Sequence, residues 1–285
     1  SGTAVTDEGL AAVAGYAGGA DYHDVLLDRV QALAAGVKVL AEQSVSSRCY
    51  VDTGPVLERV FAARSGLGWQ GKNTCLIDRE LGSRLLLGVI LSDLELDFDQ
   101  PEPDHCGTCR ACIDACPTDA LVEPYVLDAR RCISYTTIES REAIPIGLRE
   151  AQGDWVFGCD ICQDVCPWND EVPLSKVENF QPREGNRAPD LKELSRLSAE
   201  EFSQRYRKSP IKRAKWRGFM RNVAVAMGNS GNPEMIPELE GLMGSEDPMI
   251  RRHAEWALSA LGAQKKEHGA SRLEKRADAR GEEEV

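Results

Sequence analysis

Residues 105–120, HCGTCRACIDACPTDA, place four cysteines in eleven positions and follow the last with proline. Cys106, Cys109, Cys112, Cys116 and Pro117 give C-x2-C-x2-C-x3-C-P. With this spacing three thiolates wrap one 4Fe–4S cluster and the fourth serves a neighbouring cluster. A second set follows: Cys159, Cys162 and Cys166, then Pro167, with Cys132 upstream. Exchanging the fourth ligands gives one cluster on Cys106, Cys109, Cys112 and Cys166, and another on Cys132, Cys159, Cys162 and Cys116. Structural zinc on C-x2-C pairs is the alternative, and two complete sets with C-x3-C-P endings weigh against it. The other two cysteines, Cys49 and Cys75, lack ligand spacing and read as buried free thiols.

Three further stretches bear chemistry. Asp52, in YVDTGPVLER, sits where a strand gives way to a helix. There it either caps the helix or serves as a general acid, if burial raises its pKa. Residues 66–73, GLGWQGKN, match G-x-G-x-x-G and nearly match a phosphate loop. The elements around them run helix then strand, the reverse of a dinucleotide site, and Asn73 stands where a magnesium-binding Ser or Thr is needed. The glycines are expected to admit some other flat or phosphorylated ligand. Asp21-Tyr22-His23 begins like the D-x-H-x-x-G signature of histidine-ligated cobalamin domains, but Leu26 replaces its glycine, so a hydrogen-bonded histidine competes with a cofactor-facing one.

The elements that must position these groups follow from periodicity. Residues 24–41 have helical spacing, with Val25, Leu26, Val30, Leu33 and Val37 on one face. A strand is expected at 48–52, a helix from Pro55 to Ala63, and a hairpin of 74–77 with 84–91 around DRELGS. Acidic 93–103 reads as a linker. Helices dominate from about 190, where RNVAVAMG (221–228) and MIRRHAEWALSAL (249–261) suggest one or two hairpin repeats of HEAT type. The charged tail from Gln264 is expected to be disordered.

The 285 residues carry a net charge of −12, unsuited to a polyanion, yet eight Lys or Arg and no acid lie between Arg205 and Arg221. Local charge sets the field that a nucleic acid meets, and Tyr206, Trp216 and Phe219 are interleaved as stacking surfaces. No signal peptide and no apolar run of about 18 residues is evident, so a cytoplasmic protein without a membrane partner and with reduced thiols is expected. The chain starts at Ser1 without an obvious first strand, as a fragment lacking its N-terminal part would.

YVDTGPVLERVFAARSGLGWQGKNT, the first cysteine run, RRCISYTTIE (130–139) and GCDICQDVCPWN (158–169) together resemble the epoxyqueuosine reductase family, in order from about residue 15 to residue 262. The resemblance implies an α+β protein in three parts. A nitroreductase-like cobalamin domain, incomplete at its N-terminus, covers 1–100. A ferredoxin-like two-cluster module covers 101–175, and a HEAT-like helical, tRNA-binding region covers 176–263, before the tail at 264–285. It implies cobalamin bound base-off, with His23, Asp52, Gly71, Lys72, Asn73, Thr74, Ser134 and Gln163 toward the cofactor and Asp52 as the proton donor. Gly15 replaces a cysteine that some members carry near the cofactor. Electrons from a flavodoxin or ferredoxin would pass through both clusters to cobalt, reducing epoxyqueuosine to queuosine at the tRNA wobble position. Arg205, Arg207, Lys208, Lys212, Arg213, Lys215 and Arg217 would hold the anticodon stem-loop, and a monomer is expected. Two rivals are a two-cluster electron carrier, which leaves DTGP, GKNT and the basic segment idle, and a reductive dehalogenase-like enzyme acting on a small molecule.

Overall fold

The computed structural model describes residues 9–173 and 175–263, so the expected disordered tail lies outside the described residues. β1 (Ala12–Val13) leads through a short 3-10 turn to α1 (Tyr22–Leu40), whose first turn is capped by the Asp21 carboxylate accepting from the His23 amide. Such a cap satisfies an amide that has no partner within the helix. Val30 and Ala34, one turn apart on α1, are its buried positions. β2 (Ser47–Tyr50), α2 (Glu58–Arg64), β3 (Trp69–Gln70), β4 (Leu76–Ile77) and β5 (Val89–Ser92) complete the first third.

The expected hairpin does not form. Its turn exists: the Asp78 carboxylate accepts from the amides of Glu80 and Leu81, and Gly82 takes φ +67°. The strands choose other partners, however. β4 pairs backwards with β3, and β5 pairs antiparallel with β2, Tyr50 opposite Val89. Residues 84–88 are not strand; a Cβ on Gly88 would lie 2.4 Å from Val30, so α1 presses directly on the backbone there. α2 begins at Glu58 rather than Pro55, and Asp52 does not cap it.

The cysteine module carries α3 (Ala111–Asp114), the hairpin of β6 (Leu121–Glu123) and β7 (Val126–Leu127), α4 (Ile133–Ile138), α5 (Ile146–Arg149), β8 (Trp155–Phe157) and α6 (Ile161–Asp164). The one-turn helices α3 and α6, one in each cysteine run, pack on each other. The helical part holds α7 (Leu191–Ser195), α8 (Ala199–Arg205), α9 (Lys215–Asn229), α10 (Ile236–Met243) and α11 (248–263). α8 opens with a reciprocal Ser198–Glu201 capping box. The two similar segments cross in contact, for a Cβ on Gly228 would lie 2.7 Å from Cα of Ala257.

The three stretches share a core. β1 pairs in parallel with β8, and one buried cluster runs from Ala11 and Ala17 through Val156 and Phe157 to Leu261. Arg221 seals this junction at 0% exposure. Its guanidinium donates to the carbonyls of Thr136, Ser140 and Glu142 and to the Asn222 side chain, while Asn222 donates to the carbonyls of Thr137 and Val156. Burial lowers its pKa to about 10, with the like charges of Arg141 and Arg217 adding to the effect, so it stays charged and fully hydrogen-bonded. No described helix is long and apolar enough to cross a membrane.

His253 on α11 makes this core sensitive to acid. Its Nδ1 donates to the Met249 carbonyl and its Nε2 accepts from the Ile144 amide, at 2.6 and 3.1 Å. Burial, with the like charges of Arg149 and Arg221 adding to it, holds its pKa down at about 4. The unfolded chain takes up a proton near pH 6.5. Between these values the unfolded state binds more protons, so stability is full above about pH 6.5 and falls as pH drops toward 4. The loss expected by pH 4.5 is about 2–3 kcal/mol. Urea midpoints at pH 7 and 4.5 measure it; His253→Gln should be less stable at pH 7 but show a smaller fall with acid.

Candidate functional site

The eight clustered cysteines are all free thiols, and several of them lie close enough to shift one another's pKa. Burial raises the Cys112 thiol, and the next contributions come from Cys166, Cys106 and Cys109; Cys166 in turn feels Cys106 and Cys109. On the other side burial pushes Cys159 up to about 12, with Cys132 and Cys116 adding, and Cys132 again feels Cys116. Cys162 is raised first by its hydrogen bond with Cys75, then by burial, and also by Cys159 and Cys132. Four crowded thiolates require a compensating cation, which an iron–sulfur core supplies. Amides are already aimed at the sulfurs: Ala120 at Cys116 (3.3 Å), Tyr135 and Ser134 at Cys132, Ile161 at Cys159 and Trp168 at Cys166.

The two remaining thiols are half-buried rather than buried. Cys49 approaches the Val30 carbonyl. Cys75 abuts Cys162 in the second set, a neighbour that its sequence spacing does not reveal.

Asp52 is held on an open face by an unusual backbone. Its φ is +56°, a left-handed conformation rare outside glycine and most accessible to Asn and Asp. Its amide donates to Glu58 Oε1 at 2.7 Å, and its Oδ2 accepts from Tyr22 Oη at 2.8 Å. The Asp52 side chain remains 58% exposed. Burial raises the Tyr22 phenol, and the hydrogen bond to Asp52 adds to this, so Tyr22 stays a donor. Next to it stand Tyr16, with rings 5.7 Å apart, and His23, stacked at 4.1 Å. Tyr16 too is raised by burial, then by Asp160, Asp52 and Glu139. The amide of Gly15 donates to Asp160 Oδ2 at 2.7 Å, and Asp160 lies between Cys159 and Cys162. A continuous run of contacts therefore links the second cysteine set to Asp52.

The GKNT stretch is placed differently from expectation. Lys72 Nζ donates to the carbonyls of Gly107 and Cys109 (2.6 and 2.8 Å), and Asn73 Nδ2 donates to that of Cys162 (3.3 Å). Both side chains are buried and brace the two cysteine loops. The glycines approach the chain itself: a Cβ on Gly68 would lie 2.1 Å from the Ile77 carbonyl oxygen, and one on Gly71 2.5 Å from the Ile77 side chain. Gln163 is likewise engaged, donating to Ser83. Thr74 and Ser134 are half-buried, and the Thr74 carbonyl accepts from Arg59.

The basic segment divides in two. Arg213 pairs with Glu139 at 2.6 Å, Arg217 with Asp247 at 2.6 Å, and Arg205 approaches Glu193 at 4.0 Å and donates to the Gly185 carbonyl. Arg207, Lys208, Lys212 and Lys215 are exposed and form no ion pair among the described residues. The expected stacking aromatics are not available. Tyr206 and Phe219 are 1% and 0% exposed and pack with Phe202, while half-buried Trp216 donates to the Leu197 carbonyl. Their spacing is the inward face of a helical unit. The segment nevertheless reaches the surroundings of Asp52: the Lys208 carbonyl accepts from the Asp21 amide at 2.9 Å, and Arg213 lies within electrostatic range of Asp52 and Tyr22.

Residues 105–169 match a family model described as 4Fe-4S double cluster binding domain, and residues 2–53 match one described as Epoxyqueuosine reductase QueG, DUF1730. The chain is 46% identical over 255 residues to an epoxyqueuosine reductase of Pseudomonas aeruginosa, covering 88% of this chain and 70% of that one. With its counterpart in Escherichia coli the identity is 44% over 251 residues, 88% of this chain and 66% of the relative, so the chain spans about two thirds of that protein. Among solved structures it resembles an epoxyqueuosine reductase bound to an epoxyqueuosine-modified tRNA-Tyr stem loop, with TM-score 0.84, 32% identity, and 89% and 67% of the two chains covered. It also resembles the Bacillus subtilis enzyme with its catalytic aspartate loop swung out of the active site, with TM-score 0.83, 30% identity, and 90% and 69% covered.

Proposed function

The chain belongs to the epoxyqueuosine reductase family, and from that premise we propose that it reduces epoxyqueuosine to queuosine in tRNA. The observation that carries this reading is a juxtaposition. The exposed carboxyl of Asp52 lies between the loop of the second cysteine set, reached through Tyr16 and Asp160, and the basic loop joined to it at Asp21 and Lys208. Reductant, acid and RNA would meet at one place.

The eight cysteines would hold two 4Fe–4S clusters that accept electrons from a flavodoxin or ferredoxin. A corrinoid would be held at the open face onto which the 58% exposed Asp52 carboxyl points. When bound it supplies the strongly reducing centre that the epoxide requires. Thr74 and Ser134 remain the candidate corrin contacts, while Lys72, Asn73 and Gln163 act by bracing the loops beneath. The chain's own chemistry is to donate a proton from Asp52 to the oxirane oxygen as its ring opens; Tyr22 holds the carboxyl in place. The test is anaerobic reconstitution with iron, sulfide and cobalamin, followed by reduced flavodoxin and tRNA bearing epoxyqueuosine. Queuosine should form. Oxidation of the clusters by other acceptors, with no corrinoid bound and no queuosine formed, would identify an electron carrier instead.

For the RNA surface we propose Arg207, Lys208, Lys212 and Lys215 as the phosphate contacts, because their charges are not already paired. Changing Lys208, Lys212 and Lys215 to Gln should weaken tRNA binding and flatten the log–log salt slope by about 2–3, at about 0.7–0.9 per contact. Cluster content should not change. Equal affinity of the triple variant and the parent across the salt series would place the RNA elsewhere.

A further inference from the structure

The oxirane reduction consumes two protons. Ring oxygen leaves as water, so that epoxide, two electrons and two protons give alkene and water. Asp52 carries one proton. The second must reach the same oxygen after the carboxyl has been spent, and the environment of His23 provides for it.

The imidazole is flanked by carboxylates at both nitrogens. Nδ1 lies 2.7 Å from Asp21 Oδ1, which also accepts from the His23 amide at 3.1 Å. Nε2 lies 3.5 Å from Asp52 Oδ2, is buried, and has no hydrogen-bond partner among the described residues. Asp21 Oδ1 accepts the Nδ1 proton and fixes the tautomer. A neutral ring then turns a bare Nε2 lone pair toward the Asp52 oxygen, and two acceptors facing one another repel. One proton between them removes the conflict, carried either by the carboxyl or by the imidazolium. The separation is about half an ångström beyond a hydrogen bond, and Asp52 sits on a loop of sparsely populated backbone conformation, so a small movement closes it. Tyr22 donates to Asp52 and stacks on His23, keeping the oxygen and the ring in register.

We propose that His23, oriented by Asp21, is a positioning and proton-relay residue that reprotonates Asp52 within one turnover. This deepens the proposed reduction and rests on it. Once the carboxyl has given up the first proton, Nε2 takes one from solvent; the imidazolium Nε2–H bond then breaks as the Asp52 O–H bond forms. The carboxyl passes this second proton to the departing oxygen, and the pair regains its one shared proton from solvent before the next turnover. Because the Asp21 amide is held by the Lys208 carbonyl, the relay is anchored to the basic loop and not only to α1.

The experiment compares parent, His23→Ala, His23→Gln and Asp52→Asn holoenzymes. His23→Ala should lose about 10²-fold in kcat with KM for the tRNA and the content of both cofactors unchanged. Added imidazole should restore much of the loss in His23→Ala and none in Asp52→Asn. His23→Gln keeps a donor of similar reach but no transferable proton, and should be as slow as His23→Ala. Separately, ¹⁵N resonances of the His23 ring in the oxidised holoprotein should show a protonated Nδ1 and should move on Asp52→Asn. Parent-like kcat in His23→Ala, a loss that imidazole does not relieve, or His23 resonances indifferent to Asp52 would each overturn the relay. A parent that binds both cofactors but produces no queuosine would overturn the functional reading instead, and the ¹⁵N comparison would still decide the pairing.

Discussion

Asp52→Asn is expected to fold, load both cofactors and bind tRNA as the parent does, yet to lose about 10²–10⁴ in turnover. The substitution isolates the proton. Asparagine is among the few side chains that accept the left-handed backbone found here, φ +56°, so the loop is not strained further. Its amide oxygen can still accept from Tyr22 Oη, which burial and this bond keep protonated. Only the transferable hydrogen and the negative charge are gone. Single-turnover assays with epoxyqueuosine tRNA measure the loss, and cofactor spectra check that the site is otherwise intact. Near-parental turnover would reduce Asp52 to a loop-shaping residue whose carboxyl has no part in the chemistry.

Cys116→Ala should remove one whole cluster, and not the one that its place in the chain suggests. The parent should hold about eight irons and eight sulfides, the variant about four of each. Cys116 lies in the first run, but the thiols that perturb one another place it with Cys132 and Cys159, whereas Cys166 of the second run sits with Cys106, Cys109 and Cys112. The residual spectrum of Cys116→Ala should therefore match that of Cys132→Ala and differ from that of Cys106→Ala. A match to Cys106→Ala would mean that each run binds its own cluster. Turnover should vanish in Cys116→Ala, because the set it completes is the one connected to Asp52 through Asp160 and Tyr16.

What could be read from the sequence is what depends on near neighbours along the chain. Ligand spacing is such a property. A cubane's wrapping is set by two- and three-residue steps, so a double-cluster module was legible before any fold, and C-x3-C-P is what suggests the exchange of fourth ligands that Cys116→Ala tests. The long helix α1 was legible too, although Leu33 of its expected face is 62% exposed and Ala34 is buried instead, as was the turn at Asp78–Gly82. Strand partners were not. Leu76–Ile77 and Val89–Ser92 have strand character, but which edge each meets depends on α1 pressing at Gly88 and on Ser47–Tyr50 lying free to pair, both distant in sequence.

Side-chain roles in the site were decided almost wholly by tertiary contacts. Lysine and asparagine in GKNT look like ligand-binding groups, yet Lys72 and Asn73 spend their donors on carbonyls about 35 and 89 residues away. Tyr206 and Phe219 have the composition of a base-stacking surface but occupy a core, since apolar burial does not distinguish an RNA-facing ring from an inward one until the neighbouring helices are present. Arg221 looked like one more positive charge and is the buried clamp between α9 and α4. His23 had only a broken motif to recommend it. Its significance comes from the approach of Asp52, 29 positions along the chain, to its one unpartnered nitrogen. Local spacing determined that this chain carries cysteine sets suited to iron–sulfur clusters; long-range packing decided which side chains beside them remain unpaired.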